Sequence, residues 1–169
     1  MEGFKKIIVP ILLVILFIVV AGVTTRKMQG LPPLPFKTGR TQTAYETKTV
    51  KIGDTSIKAE VAKTGTEREK GLSGRVKLEK NSGMLFVIDG GKTSPTFWMK
   101  DMKFAIDIIW IKGGKIIQID KKVEAPGTET PDNKLKLYSP KSAVDYVLEV
   151  ASGFSDLNNI KVGDTVLIE

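Results

Sequence analysis

The chain has 169 residues, 41% hydrophobic and 27% charged, which fits one compact domain with a real core plus a small appendage. It has neither cysteine nor histidine, so disulfides, thiolate metal sites, cysteine nucleophiles and histidine-based triads are all excluded. The net charge of +7 is unevenly placed: six basic residues against two acidic ones precede Lys48, while beyond it both signs are interspersed. That distribution steers weakly toward a polyanion, so no nucleic-acid partner is expected, and no cofactor is expected either.

From the N-terminus, Ile7 to Val23 carries no charged residue and is broken only by Pro10 and Gly22. At helical rise it reaches about 25 Å, slightly short of a hydrocarbon core, and Lys5, Lys6, Arg26 and Lys27 flank it with stems able to snorkel. Residues 1–25 therefore read as an uncleaved signal anchor, one transmembrane helix with the rest of the chain extracytoplasmic. A cleaved leader, which would leave a secreted protein, is the competing reading. Residues 26–47 read as a linker, stiffened by Leu31-Pro-Pro-Leu-Pro35. Residues 48–169 are the folded domain.

Within that domain, short apolar or alternating runs follow one another between turn residues. Ser56–Ala62, Met84–Ile88, Thr96–Lys100 and Ile106–Lys112 read as strands, the last with Ile106, Ile108 and Trp110 on one face. Gly113-Gly114 is a two-residue hairpin signal leading into Ile116–Ile119. A later strand places Val144, Tyr146, Leu148 and Val150 on one face, and Thr165–Ile168 closes the chain. Helix is scarce: Thr66-Glu-Arg-Glu69 matches a capping box, and Ser152–Asn159 allows one more short turn. Glu124–Pro140 reads as a long loop, and Lys51–Thr55 and Lys161–Thr165 as the same turn chemistry used twice. Asp89-Gly90-Gly91-Lys92-Thr93 lacks the spacing of a phosphate-binding loop and reads as a polar turn. The fold class expected is all-β, a compact antiparallel sandwich or partly open barrel with one or two short helices.

Gly71-Leu72, Arg75, Gly83-Met-Leu-Phe86, Phe97-Trp-Met-Lys100, Ile106-Asp-Ile108, Tyr146-Val-Leu-Glu-Val150 and Val162-Gly-Asp164 together resemble the family called domain of unknown function 192. The resemblance runs from about Ile57 to the C-terminus. It implies a compact β-rich fold, often behind a signal or membrane segment, and no established activity. Ser73-Gly74 and Trp110 depart from the family's usual residues.

Five residues stand out for chemistry. Alternation puts Asp107 on the face of Ile109 and Ile111, where a buried carboxylate needs a partner, and Arg75 and Lys100 are the candidates. Glu149 lies on the less apolar face of its strand. Convergence of Asp107 and Glu149 would make a carboxylate pair for a hydrolase or lyase, although separate structural ion pairs are commoner. Trp98 and Lys100 share a face suited to stacking a saccharide or peptide, against the commoner role of tryptophan as core filler. The leading functional expectation is a tethered ligand-binding or envelope accessory module using Arg75, Trp98, Lys100, Asp107 and Glu149. A carboxylate-dependent enzyme and a structural domain that assembles envelope proteins are the alternatives.

Overall fold

The computed structural model describes residues 45–88, 90 and 93–169, which lie in one compact unit spanning Thr43–Glu169. The expected transmembrane segment, most of the linker, and Asp89, Gly91 and Lys92 of the polar turn lie outside the described residues. Among the described residues no helix is long and apolar enough to cross a membrane.

The described residues form nine strands, β1 (Glu46–Ile52), β2 (Thr55–Ala62), β3 (Ser82–Val87), β4 (Phe97–Trp98), β5 (Ile106–Lys112), β6 (Lys115–Val123), β7 (Leu137–Tyr138), β8 (Tyr146–Ala151) and β9 (Val166–Ile168). Among the described residues there are also two short α-helices, α1 (Gly65–Lys70) and α2 (Phe154–Leu157). Seven strands form one sheet in the order β6-β5-β8-β3-β2-β1-β9, and β4 pairs with β7 in a separate ribbon. The expectation of a purely antiparallel sheet is corrected by β2 and β3, which run parallel. Their connection carries α1 and the turns that follow it, the crossover that a parallel pair requires.

The long sheet curls until its two edges meet. Lys115 at the start of β6 bridges Thr165, just before β9. Ile116 donates its N–H to Asp164 at 3.0 Å, and Val166 donates to the Gly114 carbonyl at 2.8 Å. Gly113 and Gly114 both take positive φ, 55° and 69°, which a two-residue hairpin between β5 and β6 demands. The result is a half-barrel, the partly open barrel of the two expected architectures.

Curling gives the sheet an inside and an outside, and both are buried. Val50, Ile57, Leu85, Ile109, Leu148 and Val150 fill the inside. Met84, Phe86, Ile106, Ile108, Trp110 and Val147 form a second core on the outside. The β4–β7 ribbon contributes Phe97 and Tyr138 to that outer core, and Leu72, Met99 and Met102 reach it from the adjoining segments. Burial on both faces explains why β3 and β5 read as nearly continuous apolar runs. Val144, expected on the Leu148 face, precedes the start of β8 and packs in the outer core instead.

Gly83 allows β3 to approach β8 closely, since a Cβ there would lie 2.6 Å from the Glu149 carbonyl oxygen. The α1 capping box is formed by Thr64 and Glu67, two residues earlier than expected, with Glu67 N–H donating to Thr64 Oγ1 at 3.2 Å. β1 begins at Glu46, inside the segment read as linker. The Glu124–Pro140 stretch is more ordered than a loop, containing a 3-10 turn at Asp132–Lys134 and strand β7.

Asp107 knots this fold together. Its side chain is fully buried on the inner face. Oδ1 accepts the Lys122 N–H at 2.9 Å and the Gly153 N–H at 3.0 Å, while Oδ2 accepts the Ser155 N–H at 2.9 Å. Its partners are backbone groups of β6 and of the turn opening α2, which corrects the expected pairing with Arg75 or Lys100. Removing the acceptors would orphan three backbone donors, one buried and two part-buried, the buried one alone costing roughly 1–3 kcal/mol. Asp107→Ala should therefore lose about 3 kcal/mol or more in urea unfolding, and Asp107→Asn, which keeps one acceptor oxygen, should lose less.

Candidate functional site

The outer layer leaves a cavity of about 540 Å³ between α1, β3, β4 and β8. Phe86 and Glu149 line it from the sheet, Phe97 and Trp98 from β4, and Leu72 and Met102 from the segments between. The wall from α1 supplies Arg68, Glu69 and Lys70, with Gly71 set against the Phe86 ring; a Cβ at that glycine would lie 3.3 Å from Cζ. The Phe86 and Phe97 rings meet edge-to-face with centroids 4.9 Å apart, and Phe97 meets Trp110 in the same way at 5.5 Å. Trp110 is fixed in turn by its indole N–H donating to Asp120 at 2.6 Å.

Glu149 is the unusual member of this wall. In β8 it lies opposite Met84 of β3 and Ile108 of β5, both outer-core residues, so its side chain faces the outer layer. Only 5% of it is exposed. Burial alone pushes its carboxyl up to about 8, and no hydrogen bond or ion pair to that carboxyl is found among the described residues. A group with that value is mostly protonated at neutral pH and can both donate and accept one hydrogen bond inside the cavity.

The five residues singled out from the sequence separate into distinct settings. Trp98 and Glu149 line the same cavity. Trp98 is 45% exposed, which corrects the commoner core-filler role. Lys100 shares its face as expected, with Nζ 5.5 Å from the ring centroid, and it forms an ion pair with Asp132 outside the cavity lining. Arg75 grips Glu60 with two hydrogen bonds, 2.8 and 2.5 Å, and lies over the Tyr45 ring at 5.9 Å. The hydrogen bond from Arg75 holds the Glu60 carboxyl below its ordinary value. Asp107 belongs to the backbone cradle described above. Because Asp107 pairs with Val150 and Glu149 with Ile108, the two carboxyls lie on opposite faces of the sheet. They cannot act as one pair, which removes the geometric basis of the carboxylate hydrolase or lyase.

Phe86, Phe97 and the α1 wall were not legible in the sequence as parts of a site. Each looks like ordinary core or helix, and what joins them is the gap between two layers, which no local pattern records. No group of three or more acidic residues is placed to hold a metal ion among the described residues.

The family model DUF192, described as "Uncharacterized ACR", matches residues 47–168. A crystal structure of a protein of unknown function from Novosphingobium aromaticivorans DSM 12444 is 26% identical. It matches with a TM-score of 0.61 over 72% of this chain and 83% of that one. A second crystal structure, from Sinorhizobium meliloti 1021 and described as a "putative transcription regulator", is 24% identical. Its TM-score is 0.64 over 74% of this chain and 95% of that one, a likeness of fold. No curated protein matches the chain.

The Glu149 carboxyl has a pH signature of definite sign. Its folded value lies above the ordinary 4.5, so the folded state holds a proton that the unfolded state has released. Stability is then greatest at or below about pH 4.5 with respect to this group and declines as pH rises toward 8. Urea unfolding should show a loss of up to about 1.4 kcal/mol per pH unit in that window, levelling off above it. Glu149→Gln should flatten the profile, and an unchanged slope in the variant would remove Glu149 as its source.

Proposed function

We propose that this chain, which belongs to the DUF192 family of uncharacterised proteins, is a binding module that takes a small, partly apolar ligand in the cavity above Phe86 and Glu149. The observation that carries the reading is a buried carboxyl facing a cavity with no protein partner among the described residues. Phe86, Phe97, Trp98 and Leu72 give the cavity an apolar, aromatic part beside the polar groups of α1 and Glu149, and a volume near 540 Å³ is within the usual range of a small-molecule site. Ligand burial against Phe86, Phe97 and Trp98 supplies affinity, and the hydrogen bond to Glu149 orients the ligand.

The proposed placement is extracytoplasmic, with the domain tethered through residues 1–25. Its support is the uncharged run Ile7–Val23 with basic residues on both sides. Saccharides, peptides and envelope proteins belong to this proposal as candidate partners. The half-exposed Trp98 with Lys100 above its ring is the surface feature favouring a ligand that also stacks outside the cavity.

Two experiments bear on these points. Benzyl alcohol titrated into the full chain should move the Trp98 indole N–H resonance and the amides of Gly71 and Leu72, leaving the amides of β1 and β9 unmoved. Trp98→Ala, a change at a half-exposed side chain, should weaken the response of the Gly71 and Leu72 amides severalfold with little change in stability. Scattered or absent shifts at millimolar alcohol would remove the cavity as a ligand site. Separately, the full chain should stay with membranes under alkaline carbonate extraction, and deletion of residues 1–25 should release it. Release of the intact chain would end the tether reading.

A further inference from the structure

We infer that the ligand of this cavity is an organic cation, an ammonium-type group that sits against the Glu149 carboxylate while its apolar part lies along the aromatic wall. The inference rests on the binding-module reading and names the chemical class that the site would take.

The argument starts from what surrounds Glu149. Across the sheet it faces Met84 and Ile108, neither of which carries charge. The charged groups lining the cavity all come from α1: Arg68, Glu69 and Lys70. The Arg68 guanidinium donates to the backbone carbonyls of Lys63 at 2.6 Å and Val87 at 3.0 Å. None of the three contributes to the shift at Glu149, whose one cause is loss of water. A carboxyl so placed is a site for positive charge that the described protein does not fill. A hydrocarbon side chain would avoid the desolvation cost, but it would provide no counter-charge.

The remaining walls suit the same class. Phe86, Phe97 and Trp98 present π-systems, which attract cations, most strongly in surroundings depleted of water. Trp98 already draws one ammonium, that of Lys100, to 5.5 Å from its ring centroid. An anion could pair with Arg68 or Lys70 on the α1 wall but would leave the Glu149 carboxyl without a counter-charge, and a neutral ligand would leave that carboxyl protonated. A cation alone favours the ionised form, so its binding must expel the Glu149 proton to solvent. At the Glu149 carboxylate the charge is then paired, one negative against one positive.

Three probes of similar ring size and fixed charge test this: benzyltrimethylammonium, benzyl alcohol and benzenesulfonate, titrated into the full chain and followed at the Trp98 indole. With the carboxyl titrating near 8, cation affinity should rise about tenfold from pH 7 to pH 9, while alcohol affinity should not rise. Glu149→Gln should bring the cation to the level of the alcohol and abolish its pH dependence. Should that variant fail to fold, calorimetry of the unaltered chain at pH 7 in buffers of different ionisation enthalpy gives the same answer. It should read release of nearly one proton per bound cation and none per bound alcohol. Alcohol or sulfonate binding at the cavity without a cation preference, or cation binding without proton release, overturns the inference and leaves the binding module standing. Failure of all three probes at the cavity removes both.

Discussion

Three stretches far apart in the chain are held in register by one carboxylate. Asp107 faces into the half-barrel, where a charge has no business unless its oxygens are filled, and backbone N–H groups of Lys122, Gly153 and Ser155 fill them. The β5–β6 ladder slips by one residue at this point, and Lys122 takes a positive φ of 53° there. The slip turns the Lys122 N–H to Asp107, so the irregularity and the carboxylate account for each other. The same oxygens fix the turn between β8 and α2. The orientation of β8, and with it the face on which Glu149 emerges, depends on this knot.

From that register the division of labour between the two faces follows. Residues 107, 109 and 111 of β5 look inward and 106, 108 and 110 outward, and the neighbouring strand obeys the same alternation in counter-phase. Asp107 and Glu149 are thus adjacent along the ladder yet separated by the thickness of the sheet. One carboxyl is satisfied by the protein's own backbone and works as structure. The other faces a cavity and lacks such partners among the described residues.

Much of this was legible in the residues. Alternation located most of the strands of the main sheet, Gly113-Gly114 marked the hairpin, and the motifs around Phe86, Trp98 and Tyr146 pointed to the family that matches residues 47–168. Asp107 and Glu149 both stood out as carboxyls in strands. Their partners did not, because Asp107 is satisfied by backbone groups, and every residue has those. β1 escaped notice because its threonines and lysines alternate with only two large apolar residues, Val50 and Ile52, at its far end. The parallel pairing of β2 with β3 leaves no short-range mark, being decided by how the intervening segment crosses over. The cavity was invisible for the same reason, since it is a property of the spacing between layers.

Closure of the half-barrel has a further consequence for how copies of this chain meet one another. An open seven-stranded sheet would present two edges to any extended segment nearby, a template for intermolecular strand addition. Here β6 and β9 consume part of each other's edge through Gly114, Ile116, Asp164 and Val166. Farther along β6, the strand is interrupted by the Lys122 irregularity, and Lys121 and Lys122 both form ion pairs with Asp156. Charge and local twist there oppose a flat approach by another strand. Self-association through the main sheet is disfavoured by the same contacts that shape the fold, which protects a β-rich domain when many copies share a confined space.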